Sequence, residues 1–91
     1  MQKFIIERNI PGAGDLSPEE LGAIARKSNA VVASLGVPYT WHESFAAGDK
    51  VYCVHSAESA DVILEHARRG GFPADAVTPV GGTFGPASAD A

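Results

Sequence analysis

The order in which two hydrophobic periods alternate along the chain constrains its fold more than any other feature. Lys3 to Ile10 interleaves Phe4, Ile5, Ile6 and Ile10 with polar residues and stops at Pro11-Gly12, which reads as a strand running into a loop. Ser17-Pro18-Glu19-Glu20 is a helix start: Ser17 can cap, proline loses nothing at the first helical position, and Glu20 stands where a capping box needs a carboxylate. Leu21, Ile24, Ala25, Val32 and Leu35 follow at helical spacing and Gly36 is a natural stop, so a helix is expected near residues 18–35. Pro38 to Ala46 carries Tyr39, Thr40, Trp41 and Phe45, types that favour strands. With Ala47-Gly48-Asp49 as a turn and Lys50 to His55 as the next strand, this stretch reads as a hairpin. Ser56 opens a second helix, expected near residues 57–69, with Ala60, Ile63, Leu64 and Ala67 turned inward and Gly70-Gly71 closing it. After a short connector, Ala76 to Phe84 is a last strand, which Pro79 and two glycines place at a sheet edge.

The resulting order is β-α-β-β-α-β. With right-handed crossovers and a central hairpin, it suits an α+β, ferredoxin-like sandwich: a four-stranded antiparallel sheet with two helices on one face. Residues 1–84 read as a single domain and 85–91, small and polar, as a flexible C-terminal tail. The other sheet face has no covering element within the chain. A bare face with apolar residues needs a partner, and a second copy is the simplest one, so a homodimer through the open sheet face is expected. A chain of 91 residues gains from such an arrangement, because small domains bury a limited fraction of their surface.

Charge narrows the function classes. Eleven acidic against seven basic residues leave a formal charge of −4, which offers no electrostatic footprint for phosphate backbones, so no nucleic-acid partner is expected. No apolar run approaches the roughly 18 residues of a membrane-spanning helix, and the start lacks the apolar stretch and cleavage site of a signal peptide. The single cysteine cannot form an internal disulfide. A cytoplasmic protein with no membrane association is therefore expected.

Few residues can carry chemistry: Glu7, His42, Glu43, Cys53, His55 and His66. Gly12-Ala13-Gly14 follows a strand without the rest of a dinucleotide fingerprint, and a zinc knuckle of paired Cys-x-x-Cys is excluded. The hairpin says more. If Gly48-Asp49 is the two-residue turn, with glycine first as a type II′ loop prefers, Ala47 faces Lys50, Phe45 faces Tyr52, Ser44 faces Cys53 and His42 faces His55. Alternation then places His42, Ser44, Cys53 and His55 on one face and Trp41, Glu43, Phe45, Tyr52 and Val54 on the other. The aromatic set is the better core, which leaves His42, Cys53 and His55 on the open face. A shift of one residue would break the grouping between the strands, with only Cys53 and His55 certain to stay together.

Two imidazoles and a thiol suit nickel, copper, zinc or cobalt and disfavour magnesium and calcium. Glu7 on the first strand adds an oxygen if it points the same way. The bland alternatives stand beside this: a lone cysteine is usually a small buried hydrophobe, sheet-surface histidines are often merely solvated, and Trp41 and Tyr52 are more often core than a ligand platform. His66 flanks the inward stripe of the second helix, where it interacts with the helix C-terminus in cationic form or serves as a ligand at the helix end.

Three stretches taken together resemble a known family: Phe4-Ile5-Ile6-Glu7-Arg8-Asn9-Ile10-Pro11-Gly12, Lys50-Val51-Tyr52-Cys53-Val54, and His66-Ala67-Arg68-Arg69-Gly70-Gly71-Phe72-Pro73-Ala74. They look like a small bacterial family of unassigned reaction that is associated with nickel binding, and the likeness runs from residue 3 to about 80. It implies a ferredoxin-like α+β fold, dimers formed through their sheets, and nickel as the ligand. Cys53 and His66 lie within the resembling motifs, whereas position 55 in that family more often holds an aromatic residue than a histidine.

The expected function is a small transition-metal-binding protein, for nickel or another late first-row divalent ion, acting in storage, buffering or delivery. Its site would be His42, Cys53 and His55, with Glu7 and His66 as further candidates. The alternative is a small-molecule binder or cofactor-free enzyme of the dimeric α+β barrel type, which is analogy of architecture alone. A structural interaction module without a ligand is the third reading. Binding rather than catalysis is the expected role. Clustered His and Cys on an open face would favour the metal, and an apolar cavity beside Trp41 would favour the small molecule.

Overall fold

At Ser17 both reciprocal hydrogen bonds of a capping box form: Glu20 N donates to Ser17 Oγ at 3.1 Å and Ser17 N donates to Glu20 Oε1 at 3.0 Å. The first helix, α1 (Pro18–Ser34), starts there with proline in its first turn. The computed structural model describes residues 1–90. In chain order it contains β1 (Gln2–Asn9), a 3-10 turn (Ala13–Asp15), α1, β2 (Tyr39–Ala47), β3 (Lys50–Ala57), α2 (Ala60–Gly70), β4 (Ala76–Pro79) and a 3-10 turn (Pro86–Asp90). The last tail residue, Ala91, lies outside the described residues.

The four strands form one antiparallel sheet in the order β2-β3-β1-β4, so β1 and β3 are central and the fold is the ferredoxin-like sandwich. Phe4, Ile6, Cys53 and Ala57 on the central strands pack with Ile63 of α2 in the core. Burying Ile6 and Ile63 completely contributes roughly 1.5–3 kcal/mol for each side chain. The hairpin turn is as expected: Ala47 pairs with Lys50, and a positive φ of 58° at Gly48, with none at Asp49, is the type II′ pattern. Arg69 of α2 reaches across to α1, its Nη1 donating to the terminal Ser34 carbonyl at 2.8 Å, where a cation meets the negative end of the helix.

Several local expectations shift. The last strand spans four residues and ends at Pro79, because proline has no N–H to donate and two glycines follow soon after. The second helix begins at Ala60, since Ser56 and Ala57 complete β3. Its buried stripe is Ile63, His66, Ala67 and Gly70, at spacings of three and four, and Leu64 beside that stripe is left 47% exposed. On α1, Ser28 and Val31 are buried while Leu21 and Ile24 stay more than a third exposed.

The largest departure is a β-bulge. Ser44 faces Cys53 and Glu43 faces Val54, as counted from the turn, but Trp41 rather than His42 faces His55. His42 is the extra residue. One inserted residue reverses the parity of everything upstream, so Tyr39 and Trp41 turn to the face shared by Ala57 and His55.

Candidate functional site

A cavity of about 280 Å³ lies between α1 and the sheet. Its sheet wall includes Arg8, Trp41, Cys53 and His55; α1 contributes Leu21, Ile24 and Ser28, and α2 contributes His66, with Phe72 just after that helix. This explains the exposure of Leu21 and Ile24: they face the cavity rather than a packed core.

His55 and His66 meet in this cavity with ring centroids 5.2 Å apart, edge to face. His66 also stacks on Tyr39 and Phe72, at 5.1 and 5.6 Å between centroids. Each imidazole is anchored through one nitrogen. His55 Nδ1 shares a hydrogen bond with the Tyr39 hydroxyl, and His66 Nε2 shares one with Ser28 Oγ at 3.0 Å. His66 Nδ1 is buried and has no partner among the described residues.

Burial, reinforced by His66, Arg8 and His42, pushes His55 down to about 3. Burial and then the Arg8 charge push His66 down to about 4, with the backbone of Ser28 acting the other way. Both rings are therefore neutral at neutral pH. Burial also raises the Tyr39 phenol above its ordinary value, although the Arg8 charge opposes it.

Arg8 enters the same space from β1. It is 4% exposed, its Nε donates to Cys53 Sγ at 3.4 Å, and its Nη1 donates to the Pro73 carbonyl at 2.6 Å. Its guanidinium carbon lies 5.4 Å from the centre of the Phe72 ring, a cation–π distance. Cys53 Sγ accepts a second bond, from Ser44 Oγ at 3.0 Å, and Ser44 in turn accepts from Trp41 Nε1 at 2.9 Å.

The structure divides the expected residues between two faces. Cys53, His55 and His66 line the cavity on the helix side. The expectation that Cys53 and His55 lie on the open face is corrected: they alternate in phase with Phe4 and Ile6, which face the core. His42 is displaced by the bulge onto the opposite face, where its Nε2 shares a hydrogen bond with Ser56 Oγ at 2.7 Å. Glu7 pairs with Tyr52 on that open face and accepts an ion pair from Lys50 at 3.3 Å. His66, expected at the helix surface as a cation, is wholly buried. Among the described residues, no three His, Cys, Asp or Glu side chains are grouped closely enough to hold a metal ion.

Sequence reasoning missed Arg8, Ser28 and Tyr39 as site residues. A signal for Arg8 was present in the alternation of Phe4, Ile6 and Arg8, which puts a cation in phase with core residues. Nothing local marks Ser28 or Tyr39; their role depends on which elements pack together.

A family model described as nickel responsive protein SCO4226-like matches residues 4–80. Among solved structures, SCO4226 from Streptomyces coelicolor A3(2) superposes with a TM-score of 0.73, covering 90% of this chain and 99% of that one at 18% identity. No curated protein matches the chain.

Proposed function

From the premise that the chain belongs to the SCO4226-like family of nickel responsive proteins, we propose that it is a cytoplasmic binding protein that holds nickel, or another late first-row divalent ion, for storage, buffering or delivery. Its candidate donors are His55, His66 and Cys53, which line the cavity rather than the open face and do not by themselves converge on one point within the described residues.

The observation that carries this reading is the unpartnered, buried Nδ1 of His66. When Nε2–H donates to Ser28, that nitrogen carries a free lone pair, and His55 stands in the same relation to Tyr39. Imidazoles oriented through one nitrogen and free at the other are how proteins present histidine to a metal. Neutral imidazole is the binding form, and two imidazoles with a thiol suit nickel in donor type. The chain supplies too few convergent donors for a full coordination shell, so the remaining positions belong to ligands from outside it.

The same reading includes a homodimer through the open face, where Ile5, Phe45, Tyr52 and Val54 are left exposed or half-buried. A second reading, a small-molecule binder, is favoured by the cavity beside Trp41, whose volume far exceeds that of a single ion.

Titration calorimetry of tag-free protein with nickel tests the metal reading. The expected result is saturable binding that weakens at least tenfold in Cys53→Ser and in His66→Gln. Absence of binding, or affinity unchanged in both variants, overturns it.

A further inference from the structure

Arg8 is a buried cation without an anion. Among the described residues its guanidinium has no carboxylate within ion-pair distance, the three ion pairs being Lys50–Glu7, Arg68–Glu65 and Arg69–Glu65. Of the five N–H donors of an arginine side chain, two are engaged, by Cys53 Sγ and the Pro73 carbonyl. Removing a charge from water without a counter-charge is costly, and a cavity opens beside it. In that cavity the only buried side-chain polar atom without a partner, among the described residues, is His66 Nδ1. In the alternative tautomer to the metal-binding one, with the Ser28 hydroxyl donating to Nε2, this nitrogen carries an N–H in place of the lone pair. Leu21, Ile24, Trp41, Val51 and Phe72 make the walls mostly apolar.

We propose that this cavity binds a small organic carboxylate with an apolar body, its carboxylate on the Arg8 guanidinium and its body between Trp41 and the Leu21–Ile24 face of α1. Three features select that class. A single guanidinium balances a monoanion and falls short of a phosphate dianion. Arginine's fork matches the two oxygens of a carboxylate. The volume, about 280 Å³, is nearly twice that of an engineered cavity of ~150 Å³ that takes benzene, enough for one ring or a branched chain with its acid group.

This site shares the cavity with the nickel reading and does not depend on it, so the test is made on metal-free protein in the presence of EDTA. Trp41 is the sole tryptophan, and its fluorescence reports on the cavity directly. Phenylacetate is titrated beside its neutral counterpart phenylacetamide and inorganic phosphate. The expected result is a saturable fluorescence change with phenylacetate, at least tenfold weaker binding of the amide, and no competition from equimolar phosphate. Arg8→Gln, checked for folding by circular dichroism, is expected to lose at least tenfold in phenylacetate affinity while keeping that of the amide. Ile24→Trp fills the cavity from its exposed rim without touching Arg8 and is expected to abolish phenylacetate binding, read by nuclear magnetic resonance shifts. Equal affinity for acid and amide, or phenylacetate affinity unchanged in Ile24→Trp, overturns the proposal. Nickel binding with no carboxylate binding removes this inference and leaves the metal reading standing; the converse removes the metal reading alone.

Discussion

The rings of His55 on β3 and His66 on α2 meet edge to face at 5.2 Å between centroids, joining sheet to helix through two groups that resist protonation. Each is nearly or wholly inaccessible to solvent, and each gives one nitrogen to a hydroxyl. Their packing couples the stability of the fold to the chemistry of the cavity.

Acid should therefore weaken the fold well above the ordinary range of carboxylate titration. Both histidines carry folded values below the unfolded value of 6.5, about 4 for His66 and about 3 for His55. The unfolded chain thus takes up protons first as pH falls. Stability is fully present above 6.5 and is lost on descending from there toward 4, at up to about 1.4 kcal/mol per pH unit for each histidine. Urea denaturation at pH 7.5, 6 and 5 measures it; stability unchanged across that range would refute the assignment of neutral, buried rings.

The capping box at Ser17 gives a second expectation. Ser17→Ala removes the oxygen that accepts from Glu20 N and should cost about 1 kcal/mol. Chemical denaturation should register the loss, while nickel affinity stays as it was. A loss below a few tenths would mean that the reciprocal bond contributes little.

Gly14 is held against the hairpin turn, its N–H donating to the Gly48 carbonyl at 2.8 Å. A Cβ there would lie 2.7 Å from Gly48 N, a backbone atom with no rotamer to change. Gly14→Ala should destabilise by about 1–3 kcal/mol, the usual range for overpacking. An unaltered melting temperature would show that the 3-10 turn is free to move.

Light scattering tests the dimer. The expected mass is twice the chain's 9.4 kDa, with an interface burying over about 1,000 Å². Val54→Lys, which puts a charge on the open face without entering the core, should shift the mass to the monomer. A monomer in the unaltered protein at micromolar concentration would remove the proposal.

The order of elements, the start of α1 at Ser17 and the turn at Gly48-Asp49 were all legible in the chain, because each depends on residues within a few positions of one another. Capping, periodicity and turn chemistry are local, and they determine a sandwich of this topology almost unaided. The phase of α2 was partly legible: Ile63 and Ala67 pointed inward as expected, but His66 took the place that hydrophobicity assigned to Leu64. A local pattern cannot show that Tyr39, Ser28 and Phe72 would surround that imidazole and satisfy or shield it.

What only the tertiary structure decided was which residues share a site. A bulge at His42 is a one-residue choice, made by pairing along the whole hairpin, and it sent His42 to one face and Trp41 to the other. The sequence placed Cys53 and His55 together because a strand's period is fixed by backbone geometry. It set them on the open face, and the structure turned them toward the helices, since that choice depends on which sheet face the two helices cover. Arg8 shows the same division. Its phase with Phe4 and Ile6 is a property of the strand, whereas its surroundings, with no carboxylate beside it among the described residues, are a property of the packed molecule, which brings up the Cys53 thiol and the Pro73 carbonyl from 45 and 65 positions away along the chain.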